Sequence, residues 1–380
     1  MEFLEEMEYI GDIPEGWKWV KLGDVVTLQR GYDLPKSKME KGNIPVVGSN
    51  GIIGYHNKAT TKAPGITIGR SGNIGNVYLY KSDFWAHNTT LYVKDFKGND
   101  VIFLFYLLKN IDFKQLNAGS AVPTLNRNHI YPIEVKIPIK IEEQKAIADV
   151  LSSIDDKIEL LHRQNKTLEE MAMTLFRQWF IDANFDGTIG QIVNVQGGYA
   201  FKSKDFKLNG NHSVIKIKNI TNSIVNINDT EFIDESVVEN LDTRFKISSG
   251  DILIAMTGAE IGKLGIVPKT NKNLWLNQRV GLLREKYEGA RFIAYLHLKS
   301  EFGYDYIINA ASGSAQANIS ASDIENCPFV QLSENEIKSY SKTISPFFEK
   351  IIFNLGQIQT LEKLRDTLLP KLMSGEVKII

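Results

Sequence analysis

Leu22-Gly23-Asp24-Val25-Val26-Thr27-Leu28-Gln29-Arg30-Gly31-Tyr32 returns, altered, as Ile189-Gly190-Gln191-Ile192-Val193-Asn194-Val195-Gln196-Gly197-Gly198-Tyr199. Gly23, Val26, Gln29, Gly31 and Tyr32 recur 167 positions on. The repetition continues outward from there. Gly65-Ile66-Thr67-Ile68, leading to Ser71-Gly72-Asn73-Ile74-Gly75, parallels Gly250-Asp251-Ile252-Leu253-Ile254, leading to Thr257-Gly258-Ala259-Glu260-Ile261-Gly262. Trp85 pairs with Trp275, Phe103–Leu107 with Phe292–Leu296, and Gly119-Ser120-Ala121 with Gly313-Ser314-Ala315. A last stretch matches without gaps at an offset of 193: Glu143, Lys157, Ile158, Thr167, Leu168, Glu169, Thr174 and Leu175 recur as Glu336, Lys350, Ile351, Thr360, Leu361, Glu362, Thr367 and Leu368. Blocks in one order, too far apart for a solenoid repeat, mean a tandem duplication. The growing offset puts longer insertions in the globular part of the second copy.

Each copy has two parts. The first is rich in Gly, Asn and β-branched residues, with short alternating strands such as Asn76–Tyr80 and Ser213–Ile217 between turns. It reads as a mixed, mostly β domain with a helix near 100–110. The second part is a long helix. Residues 141–180 contain no Gly or Pro, and Ile147, Leu151, Ile154, Ile158, Leu161, Asn165, Leu168, Ala172, Leu175 and Trp179 alternate at spacings of 4 and 3. That is a coiled-coil seam of roughly 50 Å at about 1.5 Å per residue. A second stripe over about 334–369 uses Tyr340, Ile344, Phe347, Ile351, Asn354, Ile358, Leu361 and Leu368, continuing to Leu372. Pro346 and Gly356 weaken this helix, and Pro370 should end or kink it.

The fold class expected is therefore α+β: two mixed, mostly-β globular domains in a pseudo-twofold tandem, separated by two long antiparallel helices. The divisions fall at 1–140, 141–183, 184–332 and 333–380. A twofold through the midpoint of the first seam places Asn165 opposite Asn354, a paired polar device that fixes register.

The 380 residues carry 44 basic and 45 acidic side chains, a net charge of -1, which excludes a uniformly basic nucleic-acid binder. The balance is uneven, however. Residues 1–140 hold 17 basic and 14 acidic groups, whereas 141–183 hold 5 and 9. Apolar residues at 43% suit an ordinary globular core. The lone Cys327 excludes a disulfide framework and a CxxC metal site, and fits a cytoplasmic setting. The longest apolar run, Val101–Leu108, is too short to span a membrane, and the N-terminus lacks a basic leader region.

Catalytic signatures nearly form and fail. Gly258–Leu264 is one residue short of a phosphate loop and lacks its Ser/Thr. Glu134-Val135-Lys136 has nuclease-like spacing but sits on a strand running into Pro138, and the second copy has Val330-Gln331-Leu332 there. The six histidines show no metal-ligand spacing, and no S-adenosylmethionine loop or amino-methyltransferase motif occurs. No catalytic or metal site is expected. What remains are loop residues suited to bases and phosphates. In the first copy these are Lys36, Lys38, His56, Asn57, Lys58, Arg70, Asn73, Asn126, Arg127, Asn128 and His129; in the second, Lys202, Lys204, Lys216, Lys218, Lys263, Asn277, Gln278, Arg279 and Asn318.

The run Gly119-Ser120-Ala121, Leu125, Ile130, Ile137-Pro138, Glu143-Gln144, Ile147, Leu151, Asp155, Lys157-Ile158, Leu168, Leu175 resembles the conserved-region signature of type I restriction–modification specificity subunits. Pro14-Glu15-Gly16-Trp17 and Leu22-Gly23-Asp24-Val25 resemble the start of a target-recognition domain in that family. The second copy departs at Ser333-Glu334-Asn335-Glu336, where Pro and Gln are expected, leaving the start of its helix open. The resemblance implies that each globular domain reads half of a bipartite, gapped double-stranded DNA site. The helices then space the halves and dock two methyltransferase subunits, which bring S-adenosylmethionine, and a motor-nuclease subunit joins for cleavage. This chain itself would hold no cofactor. The competing readings are a stand-alone coiled-coil DNA-binding regulatory or structural protein, and a nuclease using Glu134 and Lys136.

Overall fold

The computed structural model describes residues 13–116, 124–311 and 317–379. The Gly-Ser-Ala repeats at 119–121 and 313–315 lie outside them. The chain forms two compact units. One comprises residues 1–156 with 362–380, and the other residues 157–361.

In the first unit, Thr27–Arg30, Thr90–Asp95, Gly65–Gly69 and Val77–Tyr80 form a four-stranded antiparallel sheet, in that order. Gly65–Gly69 is buried along its whole length, as expected of a strand covered on both faces. A three-stranded sheet adds Gly51–His56, Ile44–Gly48 and Trp85–Ala86, the last two parallel. The apolar helix Val101–Lys109 closes the core, N-capped by Asp100, whose carboxylate accepts from the Phe103 amide at 2.8 Å. Trp17–Lys21 pairs with Glu134–Pro138, so Glu134-Val135-Lys136 is a structural strand, with the Lys136 ammonium 5.0 Å from the Trp19 ring centroid. Leu369, Leu372 and Met373 from the end of the chain join this core.

The second unit repeats the plan. Val193–Gly197, Val280–Glu285, Ile252–Ala255 and Leu264–Ile266 occupy the four corresponding places, extended by Ile224–Val225 and Ile220–Thr221. His212–Ile215 runs parallel to Asn273–Leu276, as Ile44–Gly48 does to Trp85–Ala86. Glu231–Ile233 takes the place of Gly51–His56, and Phe206–Lys207 and Lys246–Ile247 are further additions to that sheet. They absorb the growth in offset between Gly198 and Trp275. The strand expected over Ser213–Ile217 stops at Ile215, because the Lys216 amide donates to Asn219 Oδ1 at 2.9 Å and the chain turns.

The long helices are Ile141–Phe180 and Glu334–Ser374. Ser333 and Glu336 settle the start of the second by a reciprocal cap. The Ser333 amide donates to Glu336 Oε2 at 2.8 Å, and the Glu336 amide to Ser333 Oγ at 3.4 Å. Pro370 does not end this helix, which continues to Ser374. Pro346 and Pro370 both stand on the exposed face, so the carbonyls they leave without a helical donor face water. Gly356 is a point of close approach rather than a weakness, since a Cβ there would lie 2.8 Å from the Lys269 carbonyl oxygen.

Within the second unit the helices run antiparallel, as the contacts Asn165–Asn354 and Trp179–Tyr340 require. Asn354 Nδ2 donates to Asn165 Oδ1 at 2.8 Å, the pairing the twofold argument predicts. Ile147, Leu151, Ile154, Ile158, Leu161, Ile351, Asn354 and Ile358 are buried, while Asn165, Leu168, Leu175, Phe347, Leu361 and Leu368 are half-buried. Ala148, Ala172, Phe176, Ile337, Phe348, Leu355 and Leu369 are buried as well, so the apolar face is wider than a two-helix seam. The globular part uses the surplus. Phe176 stacks on Phe329 with centroids 6.4 Å apart, and Phe180 packs edge-on to Phe329 at 5.3 Å. The aromatic crowding at the end of the first helix is thus covered from within the unit.

Candidate nucleic-acid interface

Each unit brings three segments together at one end of its larger sheet. In the first, Gly65–Gly69 delivers Arg70, and His87-Asn88-Thr89 leads into Thr90–Asp95. The Arg70 amide donates to the Thr89 carbonyl at 2.8 Å, and the Leu125 amide to the Arg70 carbonyl at 2.8 Å. Thr89 is fixed by His87 Nδ1 at 3.0 Å and by the Ser49 amide at 3.3 Å. Asn88 Nδ2 donates to Asp33 Oδ1 at 2.7 Å. Burial, then the neighbouring Arg30, pushes the Arg70 guanidinium below its ordinary value. A half-buried guanidinium with an exposed second one, Arg30, in its field favours an anionic or acceptor-rich ligand.

The second unit builds the same end. Its Met256 amide donates to the Arg279 carbonyl at 3.1 Å, and its Ile319 amide to the Met256 carbonyl at 3.0 Å. Asn277 bridges to Tyr199 as His87 does to Tyr32, and Thr257 to Asn318 as Ser71 does to Thr124. Asn277-Gln278-Arg279 therefore stands where His87-Asn88-Thr89 stands in the first unit, and Gln278 and Arg279 are exposed.

The residues named from sequence fall into three groups. Arg70, Asn73, Asn126, Arg127 and Asn128 gather near the loop end of the first unit, with Arg127 Nη1 donating to the Leu28 carbonyl at 3.3 Å. Asn277, Gln278, Arg279, Lys263 and Asn318 do so in the second. Lys36, Lys38, Lys202 and Lys204 lie on or beside exposed turns over Lys36–Lys38 and Ser203–Asp205. Lys58 and His129 are exposed as well.

Others are engaged inside their own unit. His56 is buried, accepts at Nδ1 from the Glu40 amide at 3.0 Å, and packs edge-on to Trp85. Asn57 donates to Glu40 at 2.6 Å. Lys216 and Lys218 share the Glu231 carboxylate, and Lys216 also lies 3.8 Å from the Phe206 centroid. The Lys216 hydrogen bond, chiefly, holds Glu231 below the usual carboxylate range. Lys263 pairs with Glu260. Arg30, Asn88 and Thr89 were not singled out from sequence. Carrying Asn277-Gln278-Arg279 across the Trp85/Trp275 match would have pointed to the last two.

The family model for the type I restriction modification DNA specificity domain matches residues 14–170 and again 185–363. The chain belongs to the type I DNA specificity family. The MjaIX type I specificity subunit of Methanocaldococcus jannaschii is 26% identical, over 100% of this chain and 98% of its own. The HindI specificity subunit of Haemophilus influenzae is 24% identical over 78% of this chain and 82% of its own. A crystal structure of a type I restriction-modification S subunit from M. genitalium shares the fold, with a TM-score of 0.62 over 94% of this chain and 96% of that one at 19% identity. The chain is thus a type I specificity subunit with two DNA specificity domains. Among the described residues no helix is long and apolar enough to cross a membrane.

Proposed function

We propose that each unit of this specificity subunit reads one half of a bipartite DNA site through the loop end described above. One observation carries this: the same scaffold is built twice, and its equivalent loops present different side chains, His87-Asn88-Thr89 and Asn277-Gln278-Arg279. Two half-sites of different sequence follow. Asn and Gln suit adenine edges, and Arg suits guanine. The base-reading set proposed is Arg30, Arg70, Asn73, Asn88 and Arg127 in the first unit, with Gln278, Arg279 and Asn318 in the second. Lys36, Lys38, Lys58, Lys202 and Lys204 supply phosphate contacts. His56, Asn57, Lys216 and Lys218 support the scaffold.

The chemistry belongs to partners in the cytoplasm. Two methyltransferase subunits would dock on the long helices, bring S-adenosylmethionine and methylate adenine, and a motor-nuclease subunit would join for cleavage. The helices would set the gap between half-sites. Base-resolution methylation mapping in the host tests the reading. We expect two unlike half-sites around a non-specific gap, and a single continuous palindrome would overturn it.

A further inference from the structure

The doublets Gly31-Tyr32 and Gly198-Tyr199 belong to the loop end of each unit but have no part in the base-reading set. In both, the glycine lies across the segment that leads into the reading loop. A Cβ at Gly31 would overlap the His87 and Ala86 carbonyl oxygens, and one at Gly198 the Asn277 and Leu276 carbonyl oxygens. In both, the tyrosine is then pinned to that segment by the same bond. The Tyr32 amide donates to the Ala86 carbonyl at 2.8 Å, and the Tyr199 amide to the Leu276 carbonyl at 2.8 Å. Each ring rests on an aromatic floor: Trp85 and Tyr92 for Tyr32, Phe201 and Phe245 for Tyr199. Yet each stays uncovered to nearly the same degree, 42% and 38% exposed.

The floors and the neighbouring loops differ, and Tyr32 Oη also accepts from Gln29 Nε2 at 3.0 Å and lies 3.3 Å from Tyr92 Oη, while the backbone pin and the exposure of the two tyrosines agree. Apart from the adenine that the partner methyltransferases would modify, domains that read unlike sequences share no base to recognise. A side chain kept in one place in both has to meet what every half-site has, namely the sugar–phosphate chain. We propose that Tyr32 and Tyr199 are backbone anchors. Each phenol hydroxyl donates to a phosphate oxygen at the edge of its half-site while the ring covers the adjoining deoxyribose. The two loops thereby take the same register on DNA. This rests on the bipartite reading above.

The test uses the chain assembled with its partner subunits. The probes are a duplex carrying the mapped site and a duplex with both half-sites scrambled. Tyr32→Ala and Tyr199→Ala should each weaken binding about tenfold, by the same factor on both duplexes. The methylated motif should not change, nor should the salt dependence, because a neutral contact releases no counterion. Unchanged affinity overturns the proposal. So does a loss confined to the mapped site, which would make the tyrosines base readers. Should the alanine variants fail to fold, a photocrosslinking phenylalanine analogue at 32 and at 199 takes their place. Crosslinks at one fixed offset from each half-site, on both duplexes, support the anchors, and their absence overturns them. Failure of the bipartite reading would show instead in the wild-type complex, as a continuous methylated site.

Discussion

Asn354 is fully buried, and its partner Asn165 half-buried, between stripes otherwise made of aliphatic and aromatic residues. One bond joins them, and Asn354 Oδ1 and Asn165 Nδ2 find no protein partner among the described residues. Such a pair contributes little stability but penalises any register that separates it. Asn354→Leu should cost about 1–3 kcal/mol, because it leaves Asn165 unpaired. Asn165→Leu with Asn354→Leu should recover most of that loss, which denaturant unfolding of the three proteins would measure. A glycine gives the second residue-scale expectation. Gly31→Ala or Gly198→Ala should destabilise by about 1–3 kcal/mol in thermal unfolding, since the methyl group meets backbone carbonyls that cannot rotate away.

At the scale of elements, the helix Ala290–Lys299 fixes the first long helix to the second globular part. Tyr295 and Lys299 both hydrogen-bond Glu169, the latter at 2.5 Å, and Lys299 also donates to Ser223 Oγ at 2.8 Å. On the same helix His297 lies buried among Phe176, Phe302 and Phe329, with Nε2 2.8 Å from the Pro328 carbonyl. Burial pushes its pKa down to about 4. The unfolded chain therefore takes up a proton first as pH falls below about 6.5. Stability should drop between that pH and about 4 by up to about 3 kcal/mol, then level off. His297→Phe should flatten that part of the profile, read as urea midpoints at pH 7 and 4.5.

The elements also show where sequence was informative. Heptad spacing gave both long helices and their register, because burial of an apolar stripe is periodic. It could not show that Pro346, Gly356 and Pro370 are tolerated, since that depends on which face meets water and which meets the Lys269 backbone. The start of the second long helix stayed open in the sequence, because Ser333–Glu336 departs from the family pattern, and only the folded chain shows the reciprocal cap.

For the whole molecule, the duplication was visible in short glycine-anchored blocks, since Gly31 and Gly198 answer to the same steric demand. The reading loops were visible only in part. Residue type marked Gln278 and Arg279, but nothing local distinguished exposed Lys58 from buried His56, or showed that Glu231 neutralises Lys216. Those outcomes depend on strands far apart in sequence. An expectation follows at this scale. Replacing residues 184–332 with the equivalent segment of another family member should change one half of the methylated site and leave the other intact. Methylation mapping that found both halves altered would argue against independent reading by the two units.

The first unit is assembled from two lengths of chain, residues 1–156 and 362–380, with the whole second unit between them. Leu369, Leu372 and Met373 lie in its core beside Trp17, Leu104 and Leu151. During synthesis, then, the part made first is completed last. The second unit has all its segments once residue 361 has left the ribosome, whereas the first must wait for the final turns of the second long helix. A chain terminated and released just after residue 361 would have an open amino-terminal core and a second unit holding all its segments, so premature termination would damage the domain furthest from the break.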